Sequence, residues 1–169
     1  MIRAILATVL IVATAEAQMK LTNPSFENQQ PIPAKYTGEG ADVSPALKWE
    51  GAPSSTKSFA LICDDPDAPA GTWVHWVIFN IPAGTTQLPE GVAKSDTVAG
   101  MKQGVNDFGK VGYNGPMPPR GHGKHRYFFK LYALKTELGL KRPTKAQLEA
   151  AMRGQILAQA ELVGTYERR

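Results

Sequence analysis

The chain has 169 residues, of which 43% are hydrophobic and 8% aromatic, and this is enough to bury the core of one globular domain. Nineteen Lys and Arg against 15 Asp and Glu give a net charge of +4 with no basic stripe or recognised nucleic-acid motif, which argues against a nucleic-acid partner. The 13 Pro and 16 Gly interrupt the chain at short intervals and favour short strands and turns over long helices.

Residues 1–17 have the pattern of a secretory signal peptide. Arg3 precedes an apolar run from Ala4 to Ala15, and Ala15-Glu16-Ala17 is a small-x-small cleavage site. The run is shorter than the about 20 apolar residues that a membrane-spanning helix needs. We therefore predict an exported protein, periplasmic or secreted, with a single mature domain over 18–169 and no membrane span. An amphipathic or buried first helix is the alternative.

The mature domain is predicted to be mainly β. Five segments have the composition of strands: Lys20–Thr22, Leu47–Trp49, Ser58–Cys63, Thr72–Ile81 and His125–Leu134. The stretch 23–45 between the first two is rich in turn residues. Both faces of Thr72–Ile81 are apolar, so this strand is expected in the middle of the fold, covered on both sides.

Strict alternation assigns the side chains of these strands to faces. In the fourth segment it places His75, Val77, Phe79 and Ile81 on one face, and Trp76, Ile78 and Asn80 on the other. In the fifth segment it places His125 and Tyr127 on the same face.

The predicted helix lies in the C-terminal part of the chain. Thr144 is a good N-cap, and the spacing of apolar residues over Lys145–Ala158 predicts a helix. Glu161–Tyr166 is expected to form a final strand. The single cysteine, Cys63, lies in an apolar run and is expected to be buried, with a reactive thiol or a cross-link between chains as the alternative. The oligomeric state is left open, with a homodimer as one option.

Two proline-rich loops adjoin strands that carry histidines. Asp64-Asp65-Pro66-Asp67-Ala68-Pro69 precedes His75, and Gly112-Tyr113-Asn114-Gly115-Pro116-Met117-Pro118-Pro119-Arg120-Gly121 precedes His125. If the two strands meet, the carboxylate of Asp65, the two imidazoles and the Tyr127 hydroxyl line one polar cup without an obvious nucleophile. A fixed carboxylate orients an imidazole or accepts a hydrogen bond from a ligand, and imidazole donates to phosphate oxygens. The sequence therefore predicts a site that holds an anion.

Neighbouring residues of these loops are given lesser roles. Asp67 is expected to cap its own turn, and Asp64 to be solvated at the strand end. His122, between two glycines, is expected to be a solvated loop residue. The backbone N–H groups at the loop glycines are candidates for cradling an anion; these glycines are Gly115, Gly121 and Gly123.

In this order the motifs resemble the phosphatidylethanolamine-binding proteins, also called Raf kinase inhibitor proteins, and among them the shorter bacterial and archaeal branch. The resemblance runs from Leu21 to Tyr166. It rests on PIPAKYT (31–37), VSP (43–45), DDPDAP (64–69), HW-x-x-x-NIP (75–82), NDFG (106–109), GYNGPMPPRG (112–121), HRYFFKLYAL (125–134) and ELVGTY (161–166).

The resemblance implies a β-sandwich of two antiparallel sheets with one or two C-terminal helices and a small anion pocket at one end. It implies that the pocket is lined by Asp65, His75, Pro118, His125 and Tyr127, with Trp73 and Met117 at its wall. Members bind phosphorylated headgroups and related anions, and some eukaryotic members inhibit kinases. No cofactor or metal is implied.

The chain departs from the family in two places. Bacterial relatives often carry cysteine where Gly38 and Met117 stand, and the loss of both is coherent if those positions would pair. The eukaryotic C-terminal extension is also missing, which argues against carrying over kinase regulation.

The leading hypothesis is thus a non-catalytic module that binds a phosphate-bearing small molecule or a phospholipid headgroup. The alternative is an exported regulator that docks on a protein partner, as a kinase or protease inhibitor does. The third hypothesis is a metal-dependent hydrolase in which His75, His125 and Asp65 bind Zn²⁺. It is disfavoured because no H-E-x-x-H, G-x-S-x-G or phosphate-loop motif is present.

Overall fold

Two antiparallel β-sheets and a short helix form the part of the chain that the structure, a computed structural model, describes, residues 18–169. Residues 1–17, where the signal peptide is predicted, lie outside the described residues. The strands are β1 (Lys20–Thr22), β2 (Leu47–Glu50), β3 (Ser58–Asp65), β4 (Trp73–Pro82), β5 (Gln87–Leu88), β6 (Thr97–Val98), β7 (Met101–Gln103), β8 (His125–Leu134) and β9 (Ile156–Tyr166). The helix is α1 (Lys145–Met152), and Ala34–Tyr36 form a single 3₁₀ turn.

The smaller sheet has the strand order β1-β2-β5 and the larger one β6-β7-β4-β3-β8-β9. All neighbouring strands within each sheet are antiparallel. The predicted fold class, a mainly β sandwich with one or two C-terminal helices, is therefore confirmed. The apolar strands β3 and β4 occupy the centre of the larger sheet, and for β4 this agrees with the central position predicted for Thr72–Ile81.

Apolar layers cover both faces of the larger sheet. The layer between the two sheets includes Leu47, Trp49, Phe59, Trp76 and Phe129. The layer on the opposite face includes Ile62, Val77, Phe79, Leu148 and Met152, the last two contributed by α1. This arrangement explains why every residue of β3 is buried.

The helix begins where the sequence predicts and ends six residues early. The Thr144 hydroxyl accepts the Gln147 N–H, and the Gln147 side chain accepts the Thr144 N–H, which is a complete capping box. Gly154, at φ +71°, turns the chain away from the helix, and β9 starts at Ile156 rather than at Glu161. The residues expected to extend the helix instead pair with the end of β8. Within residues 18–169, no helix combines the length and the apolar character that crossing a membrane requires.

Two irregularities in β4 change the faces that alternation predicts. Cys63 pairs with Trp76 and Asp64 with Val74, so His75 is an extra residue opposite β3. The next irregularity lies at Asn80, which has φ +53° and exchanges two hydrogen bonds with the Leu138 backbone.

Three face assignments are therefore wrong. Ile81 packs with Trp76 in the layer between the sheets, and not with Phe79. Asn80 bonds to Leu138, a residue of the opposite layer. His75 contacts Tyr127 rather than lying beside Val77. A bulge inserts one residue, and every side chain beyond it changes face.

Candidate functional site

A recess of about 260 Å³ opens at the end of the sandwich where β3 finishes and β4 and β8 begin. These three ends coincide because β3 is antiparallel to both of its neighbours. The structure places all seven residues of the predicted site on the lining of this recess: Asp65, Trp73, His75, Met117, Pro118, His125 and Tyr127. It adds five that the sequence analysis did not assign to the site: Ala68, Pro69, Ala70, Phe108 and Pro119.

His75 reaches the recess through the bulge in β4. Its ring lies edge-on to Tyr127, with centroids 5.1 Å apart, and to Phe108 at 5.3 Å. Its Nδ1 is 2.7 Å from the Asn114 carbonyl oxygen. Because a carbonyl only accepts, Nδ1 carries the proton of the neutral ring, and Nε2 is left with a lone pair. Among residues 18–169 the only His75 ring hydrogen bond of ordinary geometry is that of Nδ1, and the Gly115 backbone lies close enough to the ring to raise its pKa as well.

The surroundings of His75 favour the neutral ring. Burial lowers the pKa of His75 below its ordinary value, although the Asn114 carbonyl and the Asp65 carboxylate act in the opposite direction. At neutral pH the ring is therefore uncharged, and Nε2 accepts rather than donates.

The Asn114 carbonyl is held by a network that the sequence analysis missed. Asp42, at φ +52°, accepts the Gly115 N–H at 2.6 Å and the Asn114 side-chain amide at 3.0 Å. Asn106 donates to the Asn114 side-chain oxygen at 2.9 Å, and the Asn114 N–H donates to the His75 carbonyl. These residues fix the tautomer and the position of the His75 ring. Three of them, Asn106, Asn114 and Gly115, stand in the NDFG and GYNGPMPPRG motifs, and these motifs are the only sign of the network in the sequence.

Asp65, His125 and His122 form a hydrogen-bonded chain. His125 Nδ1 is 2.8 Å from Asp65 Oδ2, and His125 Nε2 is 2.9 Å from His122 Nδ1. The first contact places a proton on Nδ1 because the carboxylate accepts. Both ring nitrogens of His125 are therefore engaged. His122 is exposed, but its ring is a partner of the site, so the expectation of a merely solvated loop residue is wrong.

Tyr127 contributes a free hydroxyl. Its side chain is fully buried, and its oxygen has no hydrogen-bond partner among residues 18–169. Burial raises the pKa of Tyr127 well above its ordinary value, so the hydroxyl keeps its proton and is a donor. The Asp65 carboxylate raises this pKa further through its charge and as a nearby acceptor, although it lies outside ordinary hydrogen-bond geometry. A buried hydroxyl without a partner costs about 1–3 kcal/mol, so an oxygen atom of a ligand is a favourable neighbour.

The walls of the recess are apolar. Trp73 and Phe108 meet edge to face with centroids 5.6 Å apart. Met117 is 42% exposed and Phe108 38%, so both stand at the rim. Proline rings from the two loops complete the wall. The recess therefore has stiff apolar walls around a small polar floor, which is formed by Asp65, His75, His125 and Tyr127.

The two acidic neighbours of Asp65 have roles other than those expected. Asp64 is fully buried on the opposite face of the sheet, where its carboxylate accepts hydrogen bonds from Lys130 at 2.9 Å and Lys145 at 2.5 Å. Asp67 forms two side-chain hydrogen bonds with the Arg126 guanidinium, which hold the pKa of Asp67 below its ordinary value. The turn is capped by Asp65, whose Oδ1 accepts the Asp67 N–H at 2.8 Å.

Gly115 serves the packing of the loop and not a ligand. A Cβ at this position would lie 2.2 Å from the Tyr36 carbonyl oxygen, and its N–H is already bonded to Asp42. The loop that carries His122 is formed by Gly121 and Gly123, both with positive φ. The expected cradle of backbone N–H groups at Gly115 is therefore wrong.

The lining of the recess contains no Ser, Thr, Cys or Lys. Cys63 is buried in the core, and burial raises the pKa of its thiol well above the ordinary value. In the part of the chain that the structure describes, no group of three or more His, Cys, Asp or Glu side chains is arranged to hold a metal ion. The floor is thus suited to holding a ligand through hydrogen bonds.

Comparisons with known proteins give a consistent family. The family model described as phosphatidylethanolamine-binding protein matches residues 22–167. A UPF0098 protein of Aquifex aeolicus is 53% identical over 154 residues, covering 90% of each chain.

Solved structures agree. The crystal structure of a putative phosphatidylethanolamine-binding protein homologue from Chlamydia trachomatis has a TM-score of 0.82 and 40% identity, over 90% of this chain and 99% of that one. The Escherichia coli protein YbcL, described as a member of the mammalian PEBP family, has a TM-score of 0.84 and 35% identity, over 90% and 100%. A carboxypeptidase Y inhibitor, 15% identical with a TM-score of 0.55 over 91% of this chain and 84% of that one, shares the fold alone.

Proposed function

We propose that this chain, which belongs to the phosphatidylethanolamine-binding protein family, binds a small phosphate-bearing molecule in the recess without transforming it. The observation that carries the proposal is the Tyr127 hydroxyl, buried without a partner among residues 18–169, beside the lone pair of His75 Nε2. Buried polar groups are almost always hydrogen-bonded in proteins, and a phosphate group supplies an acceptor oxygen for the Tyr127 hydroxyl and, when it carries a proton, a donor for Nε2.

The size of the recess limits the ligand. Its volume of about 260 Å³ lies just below the roughly 300–1,000 Å³ of sites for drug-sized ligands. It accommodates a phosphate with a short substituent, such as a headgroup, while a longer chain would extend past Met117 and Phe108 at the rim. Few contacts are available, so affinities of roughly mM to µM are expected.

The proposal includes no catalytic step. The imidazole nearest a carboxylate, His125, has both nitrogens engaged, and no side chain on the lining offers a nucleophile activated by a base. Retention of the ligand is therefore the role that the chemistry of the floor supports.

We also propose that residues 1–17 direct export of the protein and that residues 18–169 act outside the cytoplasm. The support is the charged start, apolar run and small-x-small site of the sequence. Fractionation of the native host checks this, with N-terminal sequencing of the recovered protein. A mature chain starting near Gln18 in the exported fraction is expected, and an intact Met1 in the cytoplasm would contradict it.

A titration by NMR tests the ligand proposal. Inorganic phosphate and phosphoethanolamine are added separately to the isotope-labelled protein, and we expect saturable shifts at Tyr127, His75 and Phe108. Tyr127→Phe removes the donor and is expected to weaken binding at least tenfold. Tyr132→Phe is the matched control, because Tyr132 lies on the same strand in the opposite layer. Shifts confined to other surfaces, or equal binding by both variants, would refute the proposal.

A further inference from the structure

The recess presents free acceptors as well as donors. His75 Nε2 presents a lone pair, and the Asp65 carboxylate already accepts two hydrogen bonds. Both nitrogens of His125 are engaged by Asp65 and His122. Among the side chains of the described lining, which includes no Lys or Arg, the Tyr127 hydroxyl on the floor and the Trp73 indole N–H at the wall are the available donors. A fully deprotonated oxyanion would therefore leave His75 Nε2 without a donor and would face the Asp65 carboxylate.

The negative charges around His75 favour the presence of a proton next to its Nε2 atom. Asp65 faces it from β3 and Asp107 from the loop after β7, and both negative charges raise its pKa. Tyr127, a neutral donor, packs on its ring from β8. Phe108, which follows Asp107, and the Asn114 carbonyl complete its surroundings.

Burial opposes placing that proton on His75 itself. The ring is 3% exposed, and an imidazolium there would lose most of its hydration. A proton brought by the ligand meets the same acceptor without creating a buried cation.

Building on the proposed function, we propose that the recess selects phosphate monoesters that carry one proton. The P–O–H group of the monoanion donates to His75 Nε2, and a second oxygen of the same phosphate accepts the Tyr127 hydroxyl. The two floor groups are then both satisfied, and only one negative charge enters beside Asp65. Phosphate monoesters keep such a proton close to neutral pH because their second pKa is about 6. Phosphodiesters and sulfate esters have none, so the free headgroup binds in preference to the intact phospholipid.

This arrangement couples binding to pH through the ligand. Below a pH of about 6 the monoanion dominates and the affinity is constant. Above it the monoanion fraction falls tenfold per pH unit, so the apparent dissociation constant rises by about tenfold per unit. A ligand with a higher second pKa shifts this transition upward by the same amount.

Three ligands with the same ethanolamine group test the inference on the unaltered protein. They are phosphoethanolamine, its methyl phosphodiester and ethanolamine sulfate, titrated calorimetrically from pH 5 to 8. We expect the monoester to bind at least tenfold more tightly than the other two at pH 6, and to weaken about tenfold between pH 7 and 8. A phosphonate analogue with a higher second pKa is expected to shift the transition upward.

Each contrary result has a distinct meaning. Equal binding of monoester and diester, or a monoester affinity independent of pH, would overturn this inference while leaving the proposed function intact. A diester affinity that rises with acid in parallel with the monoester would also overturn it, because the proton would then be on His75. Absence of binding by every ligand at every pH would overturn the proposed function as well.

A variant adds an independent readout. His75→Gln presents a side-chain amide near the position of Nε2, and its N–H donates to an unprotonated oxygen. We expect this variant to lose the pH dependence and to bind the diester as tightly as the monoester, while Tyr132→Phe keeps the original behaviour. Unchanged selectivity in a His75→Gln protein with a normal thermal transition would overturn the inference.

Discussion

Asp64 and Asp65 are neighbours in the chain, yet their buried carboxylates lie on opposite faces of the larger sheet. Asp64 is bonded to Lys130 and Lys145 on the face that α1 covers, and Asp65 is bonded to His125 on the recess side. Adjacent strand residues point to opposite faces, so one carboxylate of this dipeptide belongs to the packing under α1 and the other to the recess.

Asp64→Asn is expected to destabilise the fold without changing the recess. The substitution removes the negative charge between two lysines that are 28% and 21% exposed in their side chains, so part of their charge is already hydrated. We expect the free energy of unfolding to fall by about 1–3 kcal/mol, which is less than the cost of breaking a fully buried ion pair. Denaturant unfolding measures it. Asp96→Asn, at an exposed pair with Arg142, is the control and is expected to change little. A loss of ligand binding by Asp64→Asn would contradict the separation of faces.

His125 is expected to be replaceable by Asn but not by Ala. The Ala variant leaves the Asp65 carboxylate, which is 3% exposed, without the His125 Nδ1 donor at 2.8 Å. We expect its free energy of unfolding to fall by about 2–4 kcal/mol and its phosphate binding to be lost. The Asn amide lies near the position of Nδ1 and restores that hydrogen bond. Thermal unfolding of the two variants checks the prediction, and equal stability would show that the carboxylate does not depend on His125.

The hydrogen-bond partners of the site residues could not be predicted from the sequence. The strands follow from apolar runs, and the lining residues follow from the motifs of the family. The face of His75 does not follow from alternation, because a bulge at that residue breaks the period of two. Likewise, nothing near Asp64 shows its burial, because its partner Lys145 lies 81 residues away on the helix.

Tyr127→Phe and Tyr113→Phe are expected to have opposite effects on stability. The Tyr127 hydroxyl has no partner of ordinary geometry among residues 18–169, so its removal is expected to stabilise the protein by up to about 1 kcal/mol. The Tyr113 hydroxyl donates to the Tyr36 carbonyl at 2.7 Å in the core, so its removal is expected to cost about 1–3 kcal/mol. Chemical denaturation without phosphate measures both. Equal destabilisation would indicate that the Tyr127 hydroxyl has a partner in the free protein.

Acid is expected to destabilise the ligand-free protein partly through His75. Burial places the folded-state pKa of His75 below its unfolded value, so the unfolded state binds the proton first as the pH falls. This contribution is complete above the unfolded pKa of about 6.5 and is lost as the pH falls from there toward the folded value. His75→Gln lacks it. The difference in unfolding free energy between the two proteins, measured from pH 7.5 to 5, is expected to shrink with acid; a constant difference would contradict the lowered pKa.

Gly38 and Met117 are placed so that a pair of cysteines would form a disulfide. A Cβ built on Gly38 lies 3.3 Å from the Met117 Cβ, slightly under the roughly 3.5–4.5 Å of natural disulfides, and the Gly38 N–H is bonded to Pro116. The double variant Gly38→Cys/Met117→Cys is expected to oxidise in air and to gain about 2–4 kcal/mol. Thiol counting before and after reduction, with unfolding in both states, measures this. Cys63 is buried, with a raised thiol pKa, so it remains unreacted in the folded protein. Two free thiols at positions 38 and 117 under oxidising conditions would show that the loops do not approach as the structure describes.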